Sequence, residues 1–87
     1  MYRAELTVLD PIGLHARPAG QIVKLVKESG IEVTIGKKGQ EPVKASSPLR
    51  MISLQAKTGE VLDVAIETED DALGASLVSQ MQEFLKG

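Results

Sequence analysis

The chain has a single histidine, His15, and no cysteine. Thiol catalysis, disulfide frameworks and thiolate metal sites are therefore excluded together. A metal site would have to be built from carboxylates, and no calcium-loop spacing occurs; no metal or cofactor is expected. The chemistry concentrates in Gly13-Leu14-His15-Ala16-Arg17-Pro18-Ala19. If His15 caps a helix, its carbonyl accepts from the amide of Ala19, and the amides of Ala16 and Arg17 have no helical partner. Pro18 has no N–H to leave unsatisfied, and its φ already suits a helix. Ala16, Arg17 and Pro18 are thus the candidate phosphate-binding residues: free amides and a positive helix end attract such an anion. Arg17 adds a permanent charge with a planar donor fork. The same surroundings disfavour an imidazolium, so the ring is expected to stay neutral with a lone pair free to attack phosphorus. An imidazole needs no dedicated base for that attack. The competing reading is a surface histidine that merely caps a helix. The Gly turn, the adjacent Arg and the Pro in the first turn together favour a functional one.

The elements that must position this segment follow from periodicity. Tyr2, Ala4, Leu6 and Val8 alternate with polar residues and predict a strand over 2–8 with one buried face. Asp10-Pro11-Ile12-Gly13 reads as a turn, because Pro fixes φ and Gly tolerates positive φ. A helix is expected over 16–29, with Ala19, Ile22, Val23, Leu25 and Val26 as its apolar stripe and Gly30 at its end. Ile31, Val33 and Ile35 mark a second strand, followed by a turn at Lys37-Lys38-Gly39-Gln40. A third strand near 41–45 is weakened by Pro42, which suits an edge. Ser47-Pro48 opens a short helix over about 48–54. Leu62, Val64 and Ile66 mark a fourth strand. A last helix near 70–85 carries Leu73, Leu77, Met81, Phe84 and Leu85, with Glu69, Asp70 and Asp71 at its positive end. The order β-α-β-β-α-β-α implies an α+β fold of two layers, helices covering one side of a mostly antiparallel sheet. Eighty-seven residues make one domain, 1–87.

Composition narrows the classes of function. A formal charge of −2 gives no broad attraction for nucleic acid, and with only Tyr2 and Phe84 aromatic there is no base-stacking platform. No apolar stretch is long enough to span a membrane. The first residues enter a strand pattern and not a signal segment, so the cytoplasm is the expected compartment.

The seven residues from Gly13 to Ala19 resemble the active-site motif of the HPr family, the histidine-containing phosphocarriers of the bacterial sugar phosphotransferase system. Chain length, element order and the position of the motif agree with that family along essentially the whole chain. The resemblance implies an open-faced sandwich with sheet order 1-4-2-3 and three helices on one face. It implies that Nδ1 of His15 accepts a phosphoryl group from phosphorylated Enzyme I, ultimately from phosphoenolpyruvate, and passes it to the IIA domain of a sugar permease. Arg17 would assist transfer both ways, and the protein would be a stoichiometric carrier and not an enzyme, expected to be monomeric. Ser47 matches the family's regulatory serine, the target of a serine kinase. Regulated members often place a basic residue before it and two apolar residues after it; here Ser46 precedes, and Pro48 and Leu49 follow. Gln55 stands where a glycine usually follows the leucine of the short helix.

Partner docking is expected at Ile12 and Gln21 near the histidine, and at Leu49, Arg50, Met51 and Ile52 on the short helix, with plain core packing accounting for at least one of Met51 and Ile52. Two other readings stay open on sequence grounds. One is a regulatory paralogue that reports phosphorylation state to a kinase or transcription regulator. The other is a ligand-binding domain that is never phosphorylated.

Overall fold

The computed structural model describes residues 1–87. Strand β1 (Tyr2–Thr7) leads through a loop into helix α1 (Ala16–Ser29). Strands β2 (Val33–Lys37) and β3 (Val43–Lys44) precede the short helix α2 (Pro48–Ser53), then strand β4 (Val61–Ile66) and helix α3 (Asp71–Phe84). The four strands form one antiparallel sheet in the order β1-β4-β2-β3. This is the expected α+β open-faced sandwich, with the three helices on one face.

Alternation dictates that face. Leu6 pairs with Leu62 and Ala4 with Val64 across β1 and β4, and Ile35 pairs with Val64 across β2 and β4. These side chains point the same way and meet Ile22 and Val26 of α1, Met51 of α2, and Leu77 and Met81 of α3 in one core. The opposite face carries charge: Lys38 bridges Glu5 of β1 and Asp63 of β4, the latter at 3.0 Å.

Element ends follow local chemistry. Gly30 closes α1 in the left-handed conformation, φ 69°, where a side chain would be strained. Ser47 caps α2 by accepting from Arg50 N–H, and Asp70 caps α3 by accepting from Leu73 N–H. Several bounds differ from the sequence reading. The first strand stops at Thr7 and the second starts at Val33, leaving Val8 and Ile31 outside the ladder. The third strand is only two residues, since Pro42 supplies no N–H to the ladder. Leu73 is 38% exposed although it shares the helical spacing of the core residues.

The first strand and the last helix approach closely at Gly74. A Cβ placed there would overlap Cγ of the Tyr2 ring, inside any real contact. Gly74→Ala is therefore expected to lower stability by about 1–3 kcal/mol through overpacking, read as a lower midpoint in urea unfolding. An unchanged midpoint would show that the Tyr2 ring is free to leave the helix.

Candidate functional site

The loop from Val8 to His15 is anchored on three sides. Val8 donates to Glu60 O at 3.0 Å and accepts from Gly59 N–H at 2.7 Å, tying it to the approach to β4. The amides of Leu9 and Asp10 both donate to Leu85 O at the end of α3, at 3.0 and 2.7 Å. Leu14 is buried and donates to Ala56 O at 2.9 Å. Within the loop, Gly13 N–H returns to Asp10 O at 2.9 Å, closing the turn expected from Asp-Pro-Ile-Gly. Gly13 has φ +91°, and a Cβ there would stand 2.7 Å from Ala56 O, so only glycine fits.

This frame delivers His15 to the head of α1. Its backbone is extended, φ −113° and ψ −172°, and its side chain makes no capping bond. Its carbonyl accepts from Ala19 N–H at 3.1 Å, while the amides of Ala16 and Arg17 find no partner within the chain. The ring is 29% exposed. The Arg17 side chain is exposed and enters no ion pair, and it lines a shallow cleft with Asp10, Ile12, His15, Gln21 and Glu83. Pro18 borders the same cleft but is buried and has no N–H, so it shapes the helix start and cannot bind phosphate as a donor.

One participant was not singled out from sequence. Asp10 lies five residues before the histidine, and its side chain is 8% exposed. Its Oδ1 accepts from Ile12 N–H at 2.8 Å, and its Oδ2 lies 3.0 Å from His15 Nε2. These contacts hold the carboxyl below its ordinary value of 3.8, the Ile12 amide contributing most, then the His15 hydrogen bond, against an opposing effect of burial. The ring's surroundings are therefore mixed in sign. The reading of a uniformly positive environment is incomplete, because a carboxylate counters the helix end and Arg17. The Asp-Pro-Ile-Gly turn was a usable clue, since an Asp opening a turn commonly folds its carboxyl onto the amide two residues on. That its second oxygen reaches the ring follows only from the tertiary fold.

The expected docking residues fall into separate groups. Ile12 and Leu49 are the most exposed large apolar side chains, at 76% and 78%. Gln21 and Arg50 are exposed and Ile52 is half-buried. Met51 has no exposed surface; it is a core residue, which removes it from any docking surface. Ser47 is half-buried, and its hydroxyl is engaged as the cap of α2. Elsewhere, a second hollow on the open sheet face is lined by Arg3, Thr34, Gly36, Pro42 and Asp63. No cluster of three or more His, Asp or Glu side chains is placed to hold a metal ion. No helix is long and apolar enough to cross a membrane.

Sheet order, the single helical layer and a histidine at the head of the first helix define an open-faced sandwich of the phosphocarrier class. The family model described as "PTS HPr component phosphorylation site" matches residues 2–86, and the chain belongs to that family, the HPr component of the phosphotransferase system. It is 34% identical over 86 residues to the phosphocarrier protein HPr of Borreliella burgdorferi, covering 99% of each chain. It is also 34% identical over 83 residues to the phosphocarrier protein HPr of Xylella fastidiosa strain Temecula1, covering 95% of this chain and 92% of that one. Among solved structures, an HPr from Thermoanaerobacter tengcongensis shares the fold with a TM-score of 0.82 at 24% identity, covering 100% of this chain and 97% of that one. The phosphocarrier protein HPr of Bacillus anthracis gives 0.76 at 26% identity, covering 91% and 94%.

The lowered Asp10 carboxyl has a consequence for acid stability. Folding favours its ionised form, so its contribution is complete above 3.8 and is lost as pH falls through the lower folded value. Asp10→Asn is therefore expected to be less stable than the parent at neutral pH, with the gap closing below about pH 4. Urea unfolding at a series of pH values measures this; a gap independent of pH would remove the carboxylate from the linkage.

Proposed function

We propose that this chain is the phosphoryl carrier of a phosphoenolpyruvate-dependent sugar phosphotransferase system, taking a phosphoryl group from Enzyme I on His15 and passing it to IIA domains. One observation carries the reading: a partly exposed imidazole at the head of a fourteen-residue helix, beside two unpartnered amides and an unpaired guanidinium. Nε2 faces Asp10, so Nδ1 is the ring nitrogen left without a hydrogen-bond partner, and it is the attacking atom. Its lone pair forms the bond to phosphorus while the donor's bond to phosphorus breaks, the electron pair leaving with the donor. The amides of Ala16 and Arg17 and the Arg17 guanidinium then face the charge that develops on the phosphoryl oxygens, where preorganised donors act most strongly. The group leaves for the acceptor by the reverse path, so the protein is regenerated and not consumed.

Docking needs no deep pocket. Ile12 and Leu49 offer apolar contacts, and Gln21, Arg50 and the exposed edge of Ile52 offer a polar and apolar margin to Enzyme I and IIA domains in turn. Ser47 stays a helix cap in this reading. A serine kinase would have to withdraw its hydroxyl from Arg50 N–H and accommodate the ring of Pro48 beside it.

Incubation with phosphoenolpyruvate and Enzyme I tests the proposal: the chain should gain the mass of one acid-labile phosphoryl group. No gain would leave the reading without support and favour an unphosphorylated ligand-binding domain. His15→Ala should abolish the gain and still fold, with a lowered thermal midpoint because Asp10 Oδ2 loses its donor; a variant that does not fold at all would show the ring to be structural. Arg17→Ala should slow transfer by about tenfold to a hundredfold with a smaller loss of affinity for Enzyme I. Unchanged transfer rates would take Arg17 out of the site. Restored sugar uptake in a strain lacking its own carrier separates a transport carrier from a regulatory paralogue.

A further inference from the structure

Asp10 is the one buried charged side chain of the molecule, and the transfer step described above gives it no part beyond occupying Nε2. Its position is set independently of the histidine. Oδ1 is held by Ile12 N–H at 2.8 Å, its carbonyl accepts from Thr58 Oγ1 at 2.6 Å, and its amide donates to Leu85 O at 2.7 Å. With Oδ1 occupied, Oδ2 points at His15 Nε2 from 3.0 Å.

An ionised carboxylate can only accept hydrogen bonds. A ring nitrogen facing one must therefore carry the proton, which in a neutral imidazole puts the lone pair on the other nitrogen. We propose that Asp10 is the positioning residue of the transfer site: it fixes His15 in the Nε2–H tautomer, aims Nδ1 outward, and balances the charge of the phosphorylated ring. The inference rests on His15 being the phosphoryl acceptor.

The step balances without a proton leaving the ring. Nδ1 bonds to phosphorus, the donor departs with its electron pair, and Nε2 keeps its proton, so the ring becomes a cation. Asp10 compensates that charge at 3.0 Å. On onward transfer the N–P bond breaks, its pair returns to Nδ1, and the leaving group is a neutral imidazole. A phosphorylated ring that had lost the Nε2 proton would have to leave as an anion, a far poorer leaving group. The carboxylate thus keeps the bound phosphoryl group transferable. The other charged side chains of the cleft that holds the ring are Arg17 from α1 and Glu83 from α3.

Asp10→Asn separates charge from shape. The amide has one oxygen, which Ile12 N–H retains, so its NH2 turns to His15 Nε2 and demands an acceptor there. Nitrogen-15 NMR of the ring in the unphosphorylated protein reads the outcome. The parent should show Nε2–H as its neutral tautomer, and the variant should shift toward Nδ1–H. With phosphoenolpyruvate and Enzyme I, the variant should accept phosphate more slowly by on the order of tenfold or more, as a wrong tautomer does elsewhere. Its phosphorylated ring should lose the Nε2 proton at lower pH than the parent's.

Thr58→Val loosens the same loop while keeping the carboxylate and should leave the tautomer as in the parent. A parent ring that is mainly Nδ1–H overturns the assignment even if Asp10→Asn fails to fold. So does a folded Asp10→Asn with the parent's tautomer and phosphorylated-ring titration, or a Thr58→Val that shifts the ring as much as Asp10→Asn. A parent that is never phosphorylated defeats the carrier reading instead, and the tautomer measurement still stands on its own.

Discussion

A carboxylate with almost no exposed surface must find a donor for each oxygen or cost the fold dearly. Asp10 meets that demand with Ile12 N–H on one side and the His15 ring on the other. Its main chain is bound as firmly, giving an amide to Leu85 and taking Thr58 Oγ1 and Gly13 N–H on its carbonyl. One residue therefore links the exit of β1, the approach to β4, the end of α3 and the head of α1. The placement of His15 depends on those links more than on α1, because a helix start determines where its amides point and not where a flexible ring beside it turns.

The three helices treat their first turns differently, and the difference marks the site. Helices α2 and α3 are capped by Ser47 and Asp70, each accepting from an amide three residues on. Helix α1 has no side-chain cap and no acidic residue in its first turn. A cap contributes about 1 kcal/mol to a helix, so leaving α1 uncapped forgoes stability at one place. Pro18 reduces the loss by having no amide to satisfy, and Gly30 ends the helix with a bond from its own amide to Lys27 O at 3.3 Å. What remains is a pair of amides at Ala16 and Arg17 whose only available partners are outside the chain.

Much of this was legible in the residues. The two-residue period of Tyr2, Ala4 and Leu6 and of Leu62, Val64 and Ile66 found the edge strand β1 and the central strand β4, and Gly30, Ser47 and Asp70 marked helix ends. The head of α1 was readable because Ala16, Arg17 and Pro18 are fixed by local backbone rules. Readings failed where the third dimension decides. Met51 and Leu73 are both apolar residues on short-range helical periods, yet the sheet covers the first and misses the second. Ile31 has strand-like spacing but lies before the ladder begins, since β4 has no residue beyond Ile66 in register to pair with it. Asp10 escaped notice as part of the site because a five-residue separation across a proline turn belongs to neither the helix nor the strand period.

The charge pattern of the cleft bears on how a group is held there. Arg17 and the two free amides attract an anion, while Asp10 and Glu83, which line the same cleft, repel one. A pocket lined by cations alone would favour the bound phosphate over its release, which suits a binding protein and not a carrier. With donors and carboxylates sharing one cleft, the bound and released states lie closer in free energy. Reversal then needs only a partner whose own site is slightly more favourable. Exposure completes the arrangement, because a group held at the surface of a helix end can be approached in line by a second protein without any loop opening.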